Sequence, residues 1–252
     1  RQTFVTGNAA LLAARDLRQH LLSAVAVYWN IPTEQIELTP RGAVCTPDQQ
    51  GQLDNMSMRN LSWQQLASLL EHTSTGRSIR RNYIAPQTHE LGEGNPIHFA
   101  FSFSAQAVQI EVSLESGEIR VLQVISAHDA GRVLNPLGFQ GQVEGGVVMG
   151  LGHALMEEFK GDDGNIQTDR MARYHIPTLQ DSPKVISIIE EHPIASGPFG
   201  AKGVGEIVSL PTPPAITNAL YNAIGLRVDS LPVRAAYVLA YLRTIKQNKA
   251  SD

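Results

Sequence analysis

The chain holds a single cysteine, Cys45, among its 252 residues. That excludes an internal disulfide and any iron–sulfur cluster ligated by cysteines of this chain. Cys45 is left as a small, partly buried filler. A basic surplus is also missing: the formal net charge is −4, whereas a nucleic-acid binder carries an excess of Lys and Arg on one face. Arg77, Arg80 and Arg81 form the only basic cluster and read as a solvated loop. No apolar run reaches the length of a membrane span, and no charged-then-apolar leader opens the sequence. The expectation is a soluble, cytoplasmic protein with neither nucleic acid nor membrane as partner. The eight histidines contain no His-x-x-x-His and have no cysteine nearby, so no metal site built from protein side chains is expected.

Glycine, by contrast, is plentiful and clustered. Gly197, Gly200, Gly203 and Gly205 lead directly into Glu206. Glycine lets backbone N–H groups approach a bulky ligand, and a carboxylate ending such a loop is placed to act as an acid or base. No Gly-Lys-Ser/Thr follows, so this is not a phosphate loop. Taken alone, such a segment is usually a tight turn whose carboxylate faces water. A second cluster runs through Gly141, Gly145, Gly146, Gly150 and Gly152, after a turn at Asn135-Pro136 and within helical apolar spacing. Each glycine inside a helix costs roughly 1 kcal/mol against alanine, so the helix needs a reason to carry them. Either another backbone packs on the small-residue face, or bare backbone and the Gln142 amide meet a large ligand.

The pattern elsewhere predicts a first helix over about Asn8–Tyr28, with Asn8 as its N-cap. A small hairpin is expected from Ile36–Leu38 and Ala43–Cys45. A helix should start at Ser62, with Gln65 completing a capping box. Three strands follow, Ile97–Ser104, Val108–Leu114 and Ile119–Ala127, the last two joined by a hairpin turn at Glu115–Glu118. The glycine-rich helix comes next, then a strand over Val185–Glu190 and helices near Pro214–Ile224 and Val233–Arg243. Tyr174–Thr178 reads as an extended, proline-terminated segment. His128 and Asp129, adjacent on a strand, point to opposite faces and are read as structural. Strands and helices without regular βαβ alternation predict an α+β fold, mixed sheets with flanking helices. Two lobes are expected, residues 1–94 and 95–252.

Four segments together resemble the xanthine dehydrogenase/aldehyde oxidase family of molybdenum hydroxylases. Gly200-Ala201-Lys202-Gly203-Val204-Gly205-Glu206 resembles its Gly-x-Lys-Gly-x-Gly-Glu signature. Asp129–Pro136 with Gly141–Gly152 is similar to its Asp-x-Gly-x-x-x-Asn-Pro…Gly-Gln-x-x-Gly-Gly run. Arg1–Ala10 resembles its strand-to-helix turn, and Tyr174–Pro183 its Tyr-x-Ile-Pro-Thr-x-x-Asp-x-Pro element, to which no catalytic part is assigned. The resemblance implies oxidative hydroxylation of a small molecule, an aldehyde or N-heterocycle, with Glu206 as the base. It implies molybdopterin, as the cytosine dinucleotide, with molybdenum, held by Arg1, Gln2, Thr3, Gln142, Lys202, Gly203 and Val204. Electrons would leave through iron–sulfur clusters to FAD on other chains or domains. The family's N-terminal half of the molybdenum subunit has no counterpart here and Arg1 falls in mid-motif. The expectation is therefore a C-terminal half, inactive as an isolated chain. Two other readings stay open: a non-catalytic binding or assembly domain on the family fold, and a nucleotide-binding protein. The second fails the strand–glycine turn–helix order, because the glycines continue inside the helix.

Overall fold

A computed structural model describes residues 2–46, 59–73, 78–92 and 97–251, with side chains up to 247. The chain divides into two compact units, Arg1–Pro86 and Gln87–Asp252. The lobe boundary expected after residue 94 falls outside the described residues, as do Arg1 and Arg77.

The first unit opens with a long helix, α1 (Gln2–Trp29). Asn8 is therefore not a cap: the helix runs through Gly7-Asn8, and Asn8 is buried in its interior. The later half of α1 places Leu21, Leu22, Val25 and Trp29 on one face by 3–4-residue spacing. A three-stranded antiparallel sheet, β1 (Ile36–Thr39), β2 (Gly42–Cys45) and β3 (Asn60–Ser62), packs there with Ile36, Ala43 and Leu61. Helix α2 (Trp63–Glu71) completes the core with Leu66 and Leu70. It starts as the sequence predicts: Ser62 accepts from the Gln65 N–H, and the Gln65 side chain accepts from the Ser62 N–H at 2.8 Å. Arg81 pairs with Asp16 across the surface of this unit.

The second unit is built on a mixed sheet, β4 (Phe103–Val112), β5 (Ile119–Asp129) and β8 (Lys184–Glu190), in the order β4-β5-β8. Strands β4 and β5 form an antiparallel hairpin, and β8 joins β5 in parallel. Two separate strands were expected between 97 and 114. They are one continuous strand, because Ala105-Gln106-Ala107 keeps its pairing opposite Ala127-Ser126-Ile125. Residues 97–102 are outside the sheet. The parallel step from β5 to β8 needs a crossover, and the glycine-rich helix α3 (Pro136–Leu155) lies within it. Asn135 caps α3 by accepting from the Gly138 N–H at 2.9 Å, and Pro136 occupies its first turn. The rest of the crossover holds a two-strand ribbon, β6 (Gly161–Asp162) with β7 (Asn165–Ile166), and a single helical turn, α4 (Met171–Tyr174). Tyr174 thus ends a helix instead of starting an extended segment, and His175 turns the chain at φ 61°. Helices α5 (Thr212–Ile224) and α6 (Ala235–Ser251) close the unit.

Strand alternation decides which side of the sheet is core. Val121, Val124, Ser126 and His128 are buried. Val121 and Val124 pack with Val147, Leu151 and Ala154 of α3 and Ile216 of α5. A second cluster, Ala130, Phe139, Val143 and Val208, lies where the sheet ends and the glutamate loop arrives. Leu220, Leu226, Val233 and Val238 hold the C-terminal helices together. The fold is α+β. Among the described residues no helix is long and apolar enough to cross a membrane.

Candidate active site

Glu206 opens a one-turn 3-10 segment, Glu206–Val208, immediately after Gly205. Its side chain is exposed, and its carboxylate has no partner among the described residues. The backbone behind it is well fixed. Its carbonyl oxygen accepts from the Ser209 N–H at 3.0 Å and the Ser209 hydroxyl at 2.8 Å. Val208, two residues on, is buried against Phe139 and Val143 of α3, with Val204 and Ile207 at the edge of the same cluster. The structure therefore brings the glutamate turn and the helix of Gln142 together through one apolar patch. Gln142, next to Val143, is exposed, and its amide has no partner among the described residues.

Four of the glycines of α3 separate into two groups. At Gly146 an added Cβ would lie 2.0 Å from Val208 Cγ2, and at Gly150 it would lie 2.5 Å from Thr212 Cβ and 2.7 Å from the Ser209 carbonyl oxygen. These let the glutamate turn and the start of α5 press onto the helix. At Gly141 and Gly145 an added Cβ would meet nothing within 4 Å. Both are exposed, so beside Gln142 the helix offers bare backbone to the outside.

Upstream of Glu206 the loop is tied to the end of β5. The Lys202 N–H donates to the Ala130 carbonyl at 2.8 Å, and Arg132 N–H donates to the Gly200 carbonyl at 3.1 Å. Gly131 is required here: it has φ +64°, and a Cβ on it would sit 2.3 Å from the Gly200 oxygen. Lys202 Nζ donates to Asp129 Oδ2 at 2.6 Å, and both side chains are at most 6% exposed. Asp129 Oδ1 accepts from the Gly131 N–H at 2.9 Å and the His192 N–H at 3.3 Å. Burial pushes the Asp129 carboxyl up, but the Lys202 hydrogen bond and the Gly131 N–H outweigh it and leave it below its ordinary value. A group depressed in this way keeps its contribution at all pH above the ordinary 3.8 and loses it only as pH falls lower. Removing one member of a buried pair costs about 3–5 kcal/mol.

Downstream, a buried polar chain holds the other flank. Gln106 Nε2 donates to the Val208 carbonyl at 3.1 Å and to Ser126 Oγ at 2.9 Å, and Gln106 Oε1 accepts from Thr212 Oγ1 at 2.9 Å. Ser126 Oγ lies 2.6 Å from His128 Nε2. Burial holds the His128 imidazole below its ordinary value and so neutral.

The sequence-derived candidates fare unevenly in this geometry. Gln142, Gly203, Val204 and Glu206 belong to one neighbourhood. Lys202 is there too, but its ammonium is committed to Asp129 and its N–H to the Ala130 carbonyl. Gln2 and Thr3 are exposed on the first turn of α1, in the other unit. They are helical, not the strand-to-helix turn expected. Sequence reasoning missed Asp129 as the anchor of the loop and Gln106 altogether. The only signal for Asp129 was its place in the Asp-x-Gly run; Gln106 gave none. Among the described residues, no three of His, Cys, Asp and Glu converge as metal ligands would.

Residues 1–183 match the family model described as the molybdopterin cofactor-binding domain; Glu206 lies beyond that match. The chain is 39% identical over 171 residues to the aldehyde oxidoreductase molybdenum-binding subunit PaoC of Escherichia coli, covering 66% of this chain and 22% of that protein. It is 28% identical over 235 residues to the xanthine dehydrogenase molybdenum-binding subunit of Escherichia coli O157:H7, covering 92% and 29%. The matches thus span less than a third of those relatives' lengths. Among solved structures, quinoline 2-oxidoreductase from Pseudomonas putida superposes with a TM-score of 0.75 over 96% of this chain and 30% of that one, at 18% identity. At that identity the likeness speaks to the fold alone. The chain belongs to the molybdopterin cofactor-binding domain family, together with the molybdenum-binding subunits of the xanthine dehydrogenase and aldehyde oxidoreductase type.

Proposed function

We propose that this chain forms one wall of the active site of a molybdenum-dependent oxidoreductase that hydroxylates an aldehyde or N-heterocycle, with Glu206 as the general base. One observation carries the reading. A carboxylate with no partner among the described residues is seated, through Val204, Ile207 and Val208, on the helix whose outer side is bare backbone beside the exposed Gln142 amide.

The residues present fit a pterin cofactor. Gly141 and Gly145 leave room where side chains would otherwise stand, and the Gln142 amide supplies both a donor and an acceptor. The backbone at Gly203 and Val204 approaches from the loop. Arg1, Gln2 and Thr3 belong to the same proposal as contacts to the dinucleotide part, the cytosine form. When bound, the molybdenum group supplies the redox chemistry at the substrate carbon. The chain's own part is to bind and orient that group and to accept a proton at the Glu206 carboxylate.

The remaining cavity wall and much of the substrate pocket would come from the N-terminal half of the molybdenum subunit. Iron–sulfur and FAD-bearing subunits or domains would receive the electrons. The test is Glu206→Gln in the assembled enzyme. Turnover should fall by ~10²–10⁴-fold, the usual loss when a general base is removed, with molybdenum content unchanged. Turnover near that of the parent would rule out the assignment.

A further inference from the structure

No described residue holds the Glu206 carboxylate, so its position is set by the backbone on either side. Downstream the restraint is immediate, because Val208 is buried and its carbonyl is held by Gln106. Upstream the chain passes Gly205, where an added Cβ would meet nothing within 4 Å, then Val204, half-buried at the edge of the Val208 cluster, and then Gly203. Gly203 is tied only lightly, its carbonyl accepting from the Ser102 hydroxyl at 3.3 Å. The first firm anchor is Lys202. It is bound twice to successive residues of one strand end: by its N–H to the Ala130 carbonyl at 2.8 Å and by its ammonium to Asp129 at 2.6 Å.

Asp129 is itself immobilised. One oxygen takes the N–H groups of Gly131 and His192, and the other takes Lys202. Of these three donors only Lys202 sits on a flexible side chain. Its ammonium also lies 5.9 Å from the centre of the Phe103 ring. Fixing a catalytic group this way matters because a misplacement of about 1 Å can cost ~10²-fold in rate.

We infer that the buried Asp129–Lys202 ion pair positions Glu206, fixing the upstream end of the glutamate turn against the end of β5. The inference rests on the reading of Glu206 as the base. Asp129 and Lys202 touch no reacting atom in this scheme and act only through the loop.

The test uses the assembled molybdenum enzyme containing this chain. Asp129→Asn keeps an oxygen for the Gly131 and His192 N–H groups, and Lys202→Met keeps the apolar stem. Each should lower kcat by about 10²-fold with KM within about twofold and molybdenum content unchanged. Amide hydrogen exchange should speed up by a larger factor across residues 201–209 than over the rest of residues 87–252. Because the two residues act as one unit, the double variant should be no slower than either single variant.

Any of three results overturns the inference: kcat within twofold of the parent in both single variants, exchange faster by one and the same factor throughout residues 87–252, or no assembly with metal in either variant. The second and third would make the pair a prop of the fold. Glu206→Gln, run in parallel, separates the two readings. It should lower turnover by ~10²–10⁴-fold while leaving exchange over 201–209 unchanged. If it retains turnover the base reading fails, while the exchange data still decide whether the pair fixes the turn.

Discussion

Helix α3 carries two sets of glycines that do opposite things. Gly146 and Gly150 exist so that protein can come close: Val208, Ser209 and Thr212 occupy the space a side chain would need. Gly141 and Gly145 leave that space empty on an exposed face. The two explanations open at the sequence level, a packing face or a ligand face, divide between different faces of one helix. The packed set seats the glutamate turn on the helix, and the bare set leaves backbone available beside Gln142. Glycine content alone tells neither apart, since each costs the helix the same roughly 1 kcal/mol.

The comparison can be broken most forcefully at Gly150. A methyl there would stand 2.5 Å from Thr212 Cβ and 2.7 Å from a backbone oxygen, and Thr212 is fully buried with nowhere to move. Overpacking of this kind costs typically 1–3 kcal/mol, more than alanine's propensity returns. Gly150→Ala should therefore lower stability by up to about 2 kcal/mol, measured as a shift in denaturation midpoint. A stabilised variant would mean that α3 and the start of α5 do not press together as described.

The same substitution one face away should have the opposite sign. Gly141→Ala meets nothing within 4 Å and should stabilise the chain by roughly 1 kcal/mol through helix propensity alone. In the assembled enzyme it should nonetheless weaken molybdopterin retention, because the methyl fills the space proposed for the cofactor. A variant that gains stability and holds its cofactor as firmly as the parent would assign Gly141 to neither role.

How far these distinctions were legible beforehand depends on the range of the interaction. Local rules worked: the Ser62–Gln65 capping box, the hairpin turn around Gly117 and the turn at Asn135-Pro136 before α3 are each set by residues within four positions. Local rules also misled. Gly7-Asn8 has the composition of a helix start, yet α1 continues through it, and Ala105-Gln106-Ala107 looks like a break yet is held in β4 by its partners on β5. Alternation put His128 and Asp129 on opposite faces without naming their partners. The Asp129–Lys202 pair spans 73 residues and the Gln106–Val208 bond 102, and no spacing rule reaches so far. The glutamate loop was legible as a glycine-rich turn; what holds it was not.

The smallest expected effect is also the one that tests the bare face most directly. Gln142 is exposed, beside a core residue, with an amide that has no partner among the described residues. Truncating it removes nothing from the fold, so Gln142→Ala should leave the denaturation midpoint within the few tenths of a kcal/mol usual for surface changes. If the amide bonds the pterin, retention should weaken by the net value of one hydrogen bond, roughly 0.5–1.5 kcal/mol, or about 2- to 13-fold in dissociation constant. Molybdenum content after graded dialysis of the assembled enzyme gives the measurement. Unchanged retention in Gln142→Ala, set beside a loss in Gly141→Ala, would mean that the cofactor rests on bare backbone alone and that the glutamine faces something else.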